Sequence, residues 1–185
     1  MTPPGKKSRV AVMGGSEDGK SFLVSGLIRG HWNREKRRAV VFDPWIGEID
    51  WGPGAWVTDN FVRWKAAVEN SNGCAVVWDE GTSFGGRDRD NIGLFTAIRH
   101  RHPYLYFMGH SYATMLPVMR GSLTGVLLAV RDPDDAAEWG RVMVDRAIVA
   151  PAQRLKQYEF LYKRKHQPHR ILSYTPAQIE RGISL

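Results

Sequence analysis

The amino-acid sequence predicts an α/β chain: a five-stranded, mostly parallel sheet with helices on both faces. Three observations carry this. Five short apolar runs rich in β-branched residues recur along the chain, segments with helical spacing lie between them, and a glycine-rich turn joins the first run directly to a helix. Short runs that are apolar on both sides belong to strands buried on both faces, and strands alternating with helices pair in parallel.

The elements follow in order. "RVAVM" (9–13) is the first strand, and "GKSFLVSGLIRG" begins a helix with Phe22, Leu23, Leu27 and Ile28 at helical spacing and Gly30 as its stop. "RRAVVFDP" (37–44) is the second strand, ending on Asp43 and a proline. "WIGEIDWGPGAW" (45–56) is too rich in Gly, Pro and Trp for anything but a loop or surface excursion. Asp59 is placed to cap a helix carrying Phe61, Trp64, Ala67 and Val68 on one side. "CAVVWDE" (74–80) is the third strand, followed by the glycine-rich loop "GTSFGGRDRDN". "IGLFTAIRHRH" (92–102) is a helix, "YLYFMGH" (104–110) the fourth strand, and "TGVLLAV" (124–130) the fifth. The acidic start of "DPDDAAEWGRVM" suits a helix N-terminus. Residues 1–8 read as a disordered lead-in and 9–185 as one domain, with a basic C-terminal extension from about residue 150.

With 185 residues, 43% apolar and 24% charged, the chain has the composition of a single soluble globular domain. No apolar run approaches a membrane span and no signal peptide is visible. Cys74 is the single cysteine, which excludes an intrachain disulfide, and the six histidines show no zinc spacing. The net charge of +7 suits a polyanionic partner, although many basic proteins bind none.

The turn after the first strand carries the chemistry. Gly14, Gly19, Lys20 and Ser21 satisfy G-x-x-x-x-G-K-[ST], in the required order of strand, loop and helix. The glycines let backbone N–H groups curl inward as an anion cradle at a helix N-terminus. Gly14, Gly15, Ser16, Glu17, Asp18, Gly19, Lys20, Ser21 and Phe22 are therefore the expected binding residues of ATP. Lys20 neutralises the β- and γ-phosphates, and the Ser21 hydroxyl ligates Mg²⁺. The third strand ends in Asp79 and Glu80, where such sheets bind ligands. Adjacent carboxylates on a strand point to opposite sides, so Asp79 is assigned to Mg²⁺ and Glu80 to the general base. That pairing favours hydrolysis over phosphoryl transfer to a second substrate.

A third constellation lies around the fourth strand. Arg99, His100, Arg101 and His102 immediately precede it, and His110 stands at its tip, placed to sense the γ-phosphate. A rigid arginine at a subunit edge can stabilise transition-state charge in a neighbour's site. A basic helix end complementing its own dipole satisfies the same spacing.

Together the glycine loop, the apolar strand ending in Asp-Glu, and the "RH" pair eleven residues before a polar strand tip resemble the FtsK–HerA superfamily of DNA-pumping ATPases. The resemblance is closest to the genome-packaging ATPases of tailless, membrane-containing icosahedral viruses, and covers residues 9–130. It implies a RecA-like P-loop domain with strand order 5-1-4-3-2, a hexameric ring, and viral DNA threaded through it. It also implies a place in the virion, at the packaging vertex, and in the host cytoplasm, with capsid-vertex or membrane proteins as further partners. Gly14, Gly19, Lys20, Ser21, Asp79, Glu80 and Arg99 carry over, with Arg101 and Arg120 as reserves for the arginine acting in trans. The family usually has Gln at the strand-four tip, where this chain has His110.

"RGHWNREKRR" (29–38) and "KRKHQPHR" (163–170) are candidate grips on DNA phosphates, independent of base sequence, although a solvated face satisfies the same pattern. Arg87 and Arg89, flanked by glycine, are pore-loop candidates, and Trp45, Trp51 and Trp56 are candidates for base stacking or for packing. Three alternatives stay open: a filamentous-phage-type assembly ATPase, whose relatives carry a transmembrane segment; a small P-loop kinase with Arg87 and Arg89 in a lid; and a DNA-binding structural protein with a decayed nucleotide site.

Overall fold

The computed structural model describes residues 7–15, 17–85, 88–129 and 132–185. Most of the expected lead-in, Ser16 of the glycine loop, Arg87, and Val130 of the expected fifth strand lie outside them.

The chain runs β1 (Ser8–Met13), α1 (Lys20–Glu35), β2 (Ala39–Phe42), β3 (Ala55–Thr58), α2 (Phe61–Asn70), β4 (Ala75–Trp78), α3 (Asn91–Arg101) and β5 (Tyr104–Gly109). It continues through α4 (Pro117–Ser122), β6 (Gly125–Leu128), α5 (Pro133–Val142), α6 (Val149–Ala152), β7 (Glu159–Arg164), β8 (Arg170–Ser173) and α7 (Pro176–Arg181). One sheet holds all eight strands in the order β3-β2-β4-β5-β1-β6-β7-β8. β3 to β6 pair in parallel; β7 is antiparallel to β6, and β8 to β7.

The centre is built as the apolar runs require. β1 is flanked on both sides by parallel partners, with Ser8 to Met13 opposite Tyr104 to Gly109 of β5. Its alternation sorts the core into two layers: Val10 and Val12 pack with α1 and α7 residues such as Leu27 and Ile179. Ala11 and Met13 pack on the other face with Trp64, Leu94 and Trp139 of α2, α3 and α5.

Strand count and order both depart from the expected five-stranded 5-1-4-3-2 sheet. β6, β1, β5, β4 and β2 stand side by side, but β3 extends one edge, and β7 and β8 the other. β3 emerges from the Trp-rich stretch read as a loop. Its apolar run is only Ala55 to Val57, directly after Gly54, and Thr58 is the one buried residue of the four, so the sequence carries no buried-strand signal there. β7 carries charges at both ends, which made it read as part of a basic extension.

Two local expectations are corrected. Gly30 does not stop α1, which continues to Glu35 and is capped by Lys36 in the left-handed region at φ 51°. Gly30 is instead a notch, because a Cβ there would collide with the Ile183 carbonyl oxygen. Nearby, the Ile183 N–H donates to the Gly26 carbonyl at 2.9 Å and ties the C-terminal segment to α1. The cap of α2 is Asn60 rather than Asp59: its side chain accepts from the Arg63 N–H at 3.0 Å.

His31 belongs to the first basic cluster by sequence, but is buried inside the fold. It stacks on Tyr104 with ring centroids 3.9 Å apart, and its Nε2 lies 2.8 Å from the Tyr106 hydroxyl. Burial pushes its pKa down to about 4; Glu35 opposes this, and Arg34 and Arg37 reinforce it. The unfolded chain therefore binds a proton at His31 that the native chain refuses. The associated stability is fully present above the unfolded value near 6.5 and is lost as pH falls towards 4, by about 3 kcal/mol in all. Denaturant titrations from pH 7 down to pH 4 should show this loss, and His31→Gln should lack that component. An identical acid loss in the variant would assign the effect elsewhere.

Candidate nucleotide site

The glycine loop links β1 to α1 at the C-terminal end of the parallel strands, where βα connections in such sheets form clefts. Gly19 has φ 79° and Glu17 has φ 69°, both left-handed. Glycine adopts that region freely, whereas a side chain there costs roughly 1 kcal/mol. Gly14 is needed for close approach, since a Cβ there would lie 2.8 Å from the Ala129 Cβ at the end of β6. The Asp18 carboxylate braces the loop by accepting from the Gly15 N–H at 2.6 Å, and Lys20 Nζ donates to the Gly15 carbonyl at 2.6 Å. Burial lowers the Lys20 pKa, and the charges of Glu80, Asp79 and Asp18 oppose that shift.

The loop and the β4 tip meet through side chains. Ser21 Oγ donates to Asp79 Oδ2 at 3.0 Å, and Asp79 Oδ1 accepts the Glu80 N–H at 2.8 Å. Burial pushes the Asp79 carboxyl up to about 6, with the Glu80 N–H and Ser21 hydrogen bonds opposing. Asp79 and Glu80 lie just beyond β4, in a turn, so strand alternation is not what separates them. They diverge because Glu80 takes a left-handed backbone at φ 47°. Its Oε2 then sits 2.9 Å from His110 Nε2, while His110 Nδ1 is 3.2 Å from the Gly14 carbonyl. Both ring nitrogens thus face acceptors. A neutral imidazole has a single N–H and so donates to one of these acceptors at a time.

A cleft of about 380 Å³ opens over these groups, with Lys20, Asp79 and Glu80 on its floor and Trp45, Glu48 and Ile49 on one wall. That wall is held by buried Asp43, which accepts from the Trp45 N–H at 2.9 Å and from Trp51 Nε1 at 2.8 Å. Trp51 is therefore a packing residue, whereas Trp45 is 60% exposed. On the β7 side, the Tyr158 ring packs against Gly19 and meets Phe22 edge-on at 6.2 Å. Neither Asp43 nor Tyr158 was identified from the sequence. An Asp ending a strand before a Trp-rich loop is a usable signal for the first; Tyr158 offers none.

The oxygens present suit Mg²⁺. Ser21 Oγ and the Asp79 carboxylate are hard donors side by side, and Mg²⁺ binds through one or two protein oxygens, several waters and substrate phosphates. Among the described residues no group of three or more His, Cys, Asp or Glu could hold a metal, so a site here is one completed by phosphate oxygens.

Other candidates lie elsewhere. Arg99 lies in the last turn of α3, ahead of β5, whereas His110 follows the last residue of that strand. The six residues of β5 separate them by about 17 Å. Arg99 is exposed and stands at the far end of the sheet from its own loop. Arg120 is engaged within its own chain, donating to the Tyr112 carbonyl at 3.0 Å and lying 3.7 Å over the Tyr112 ring. Arg101 donates to the Glu69 carbonyl. In the second basic cluster, buried Lys163 is ion-paired with Asp145 at 3.1 Å, and His169 shares that carboxylate at 3.0 Å. Lys163 is thus withdrawn from any phosphate contact.

No protein-family model matches the chain, and no curated protein sequence matches it. Solved structures do. The genome-packaging NTPase B204 of Sulfolobus turreted icosahedral virus 2, in complex with sulfate, superposes with a TM-score of 0.69 at 17% identity, over 94% of this chain and 100% of that one. Its complex with AMPPCP gives 0.68 at 18% identity, over 92% and 98%. B204 of Sulfolobus Turreted Icosahedral Virus, described as the DNA-packaging ATPase, gives 0.65 at 15% identity, over 90% and 97%. The chain shares the fold of a viral genome-packaging NTPase. The likeness spans both chains almost end to end, so β7, β8 and α7 lie within the matched architecture.

Proposed function

We propose that the chain is an ATP-driven DNA translocase of the FtsK–HerA superfamily that packages viral DNA into a preformed capsid. It would work as a homo-oligomer, a hexameric ring at the packaging vertex and in the host cytoplasm. The observation that carries this reading is the convergence of Lys20, Ser21, Asp79 and Glu80 in one cleft, with His110 held against Glu80 beside it. The packaging role is supported by the B204 neighbours, described as packaging NTPases and solved with AMP and AMPPCP. Among the described residues no helix is long and apolar enough to cross a membrane.

Each residue has a part in that chemistry. The loop N–H groups and Lys20 hold the β- and γ-phosphates, and Ser21 and Asp79 hold Mg²⁺. When bound, Mg²⁺ supplies charge neutralisation at the phosphates. Glu80 takes the proton of the attacking water. His110, bridging Gly14 and Glu80, positions that carboxylate against the loop. Arg99, remote from its own cleft, acts in a neighbour's site. ATP turnover measured with and without duplex DNA, alongside solution mass, tests the reading: DNA-stimulated turnover in an assembled ring supports it. A monomer that transfers phosphate to a small molecule, indifferent to DNA, refutes it.

The cleft also makes a metal-dependence prediction. Glu17, Glu48, Asp79 and Glu80 line it, and Lys20 faces them as its cation among the described residues. A polyphosphate entering without a counter-ion meets more negative than positive charge. Chelating the divalent cation should weaken ATP binding by at least about tenfold, roughly 1.4 kcal/mol. Calorimetric titration with and without EDTA reads this directly, and equal affinity in both would contradict the electrostatics.

A further inference from the structure

The chain's positive charge is sorted by the fold. Ala39, Ala75, Tyr104 and Ser8 form one register row at the start of β2, β4, β5 and β1, and Gly125 of β6 pairs with Arg164 of β7 two residues further in, opposite Val10. This row marks the end of the sheet opposite the nucleotide cleft. Arg38 and Lys7 immediately precede their strands here, Arg101 ends α3 with two residues between it and β5, and Arg9, Arg164 and Lys165 stand close to the same level. Backbone bonds hold the last group together: the Thr124 N–H donates to the Arg9 carbonyl at 2.8 Å, and the Lys165 N–H to the Thr124 carbonyl at 3.1 Å. Residues from four distant parts of the sequence thus form one basic edge.

Little at this end neutralises the edge. Glu35 is paired with Arg37 at 2.6 Å, and Glu69 is a near neighbour of Arg101 through its carbonyl. The cations instead crowd one another. Burial and, after it, the Arg99 charge hold the Arg9 guanidinium below its ordinary pKa; burial and then Arg9 do the same to Lys165. Unfavourable like-charge crowding of this kind is relieved by a polyanion. The edge crosses five inter-strand steps from β2 to β7, about 24 Å, which matches about seven base pairs of duplex.

We propose that this basic end of the sheet is the surface that grips the DNA phosphate backbone, without reading base sequence. The proposal rests on the DNA-translocase reading and adds where the DNA lies: at the end remote from the nucleotide, with the sheet and its helices between the two. A membrane surface fits less well, because Trp45, Ile46, Val62 and Phe84, exposed apolar side chains that a bilayer would take up, lie at the nucleotide end, while Val144 stands singly beside Asp145 on the other side.

The test compares two triple variants of equal charge change: Lys7→Gln/Arg38→Gln/Lys165→Gln at the basic end, and Arg63→Gln/Lys65→Gln/Arg154→Gln elsewhere. Binding to a short fluorescein-labelled duplex is followed by anisotropy across a salt series. Losing three phosphate contacts should flatten the slope of log K against log salt by about 2 to 3 and cost at least tenfold in affinity at low salt. The control triple should keep the wild-type slope. DNA-free ATP turnover and melting temperature should be unchanged in the basic-end triple, which shows that it folds. A wild-type slope in that triple, or an equal loss in the control, overturns the surface while leaving the DNA reading in place. Failure of the wild-type protein to bind duplex overturns both. Loss of binding to phosphatidylserine vesicles with duplex binding intact assigns the edge to membranes instead.

Discussion

Replacing Lys20 with alanine should abolish ATP turnover and weaken ATP binding. Lys20 Nζ already spans the glycine loop to the Gly15 carbonyl, and four carboxylates line the same cleft. Without Lys20 the cleft loses the cation that faces the phosphates. Turnover should fall by on the order of 10³-fold, since a preorganised charge aimed at the transition state is worth that much. Stability should hold or rise, because burial already disfavours the charged Lys20 ammonium. Phosphate-release kinetics, calorimetry and thermal melting together separate these outcomes. Turnover within a few-fold of wild type would place the phosphate site elsewhere.

Glu80→Gln should separate binding from turnover. The glutamine amide has the shape of the carboxyl and keeps an acceptor for His110 Nε2, so the bridge from β5 to the loop survives. It cannot take a proton from water at neutral pH. ATP binding should stay within a few-fold of wild type, while turnover falls by roughly 10² to 10⁴. Single-turnover hydrolysis reads the chemical step itself. A wild-type rate there would remove Glu80 from the role of general base.

What was legible in the sequence was what is local along the chain. The glycine loop could be read because its determinants fall within a few residues between an apolar strand and a helix, and Asp79 and Glu80 because they end an apolar run. Partners set by tertiary packing could not. His110 was placed correctly at a strand tip, but its contacts with Gly14 and Glu80 come from residues 96 and 30 positions away. Lys163 looked like a free cation because nothing in its neighbourhood announces Asp145. The same limit hid β3, whose four residues are mostly half-exposed, and the anchoring of Trp51 by Asp43. Gly30 misled for a related reason: its small size serves the docking of a C-terminal segment more than 150 residues later, not a helix end.

The central claim is that ATP hydrolysis in this cleft moves DNA. The direct measurement is displacement of a third strand from a triplex built on duplex DNA, followed in real time with Mg·ATP. The account predicts displacement by the wild-type protein with ATP, and none with AMPPCP or with Lys20→Ala. Steady ATP hydrolysis in the presence of that DNA, with the third strand left in place, would contradict it.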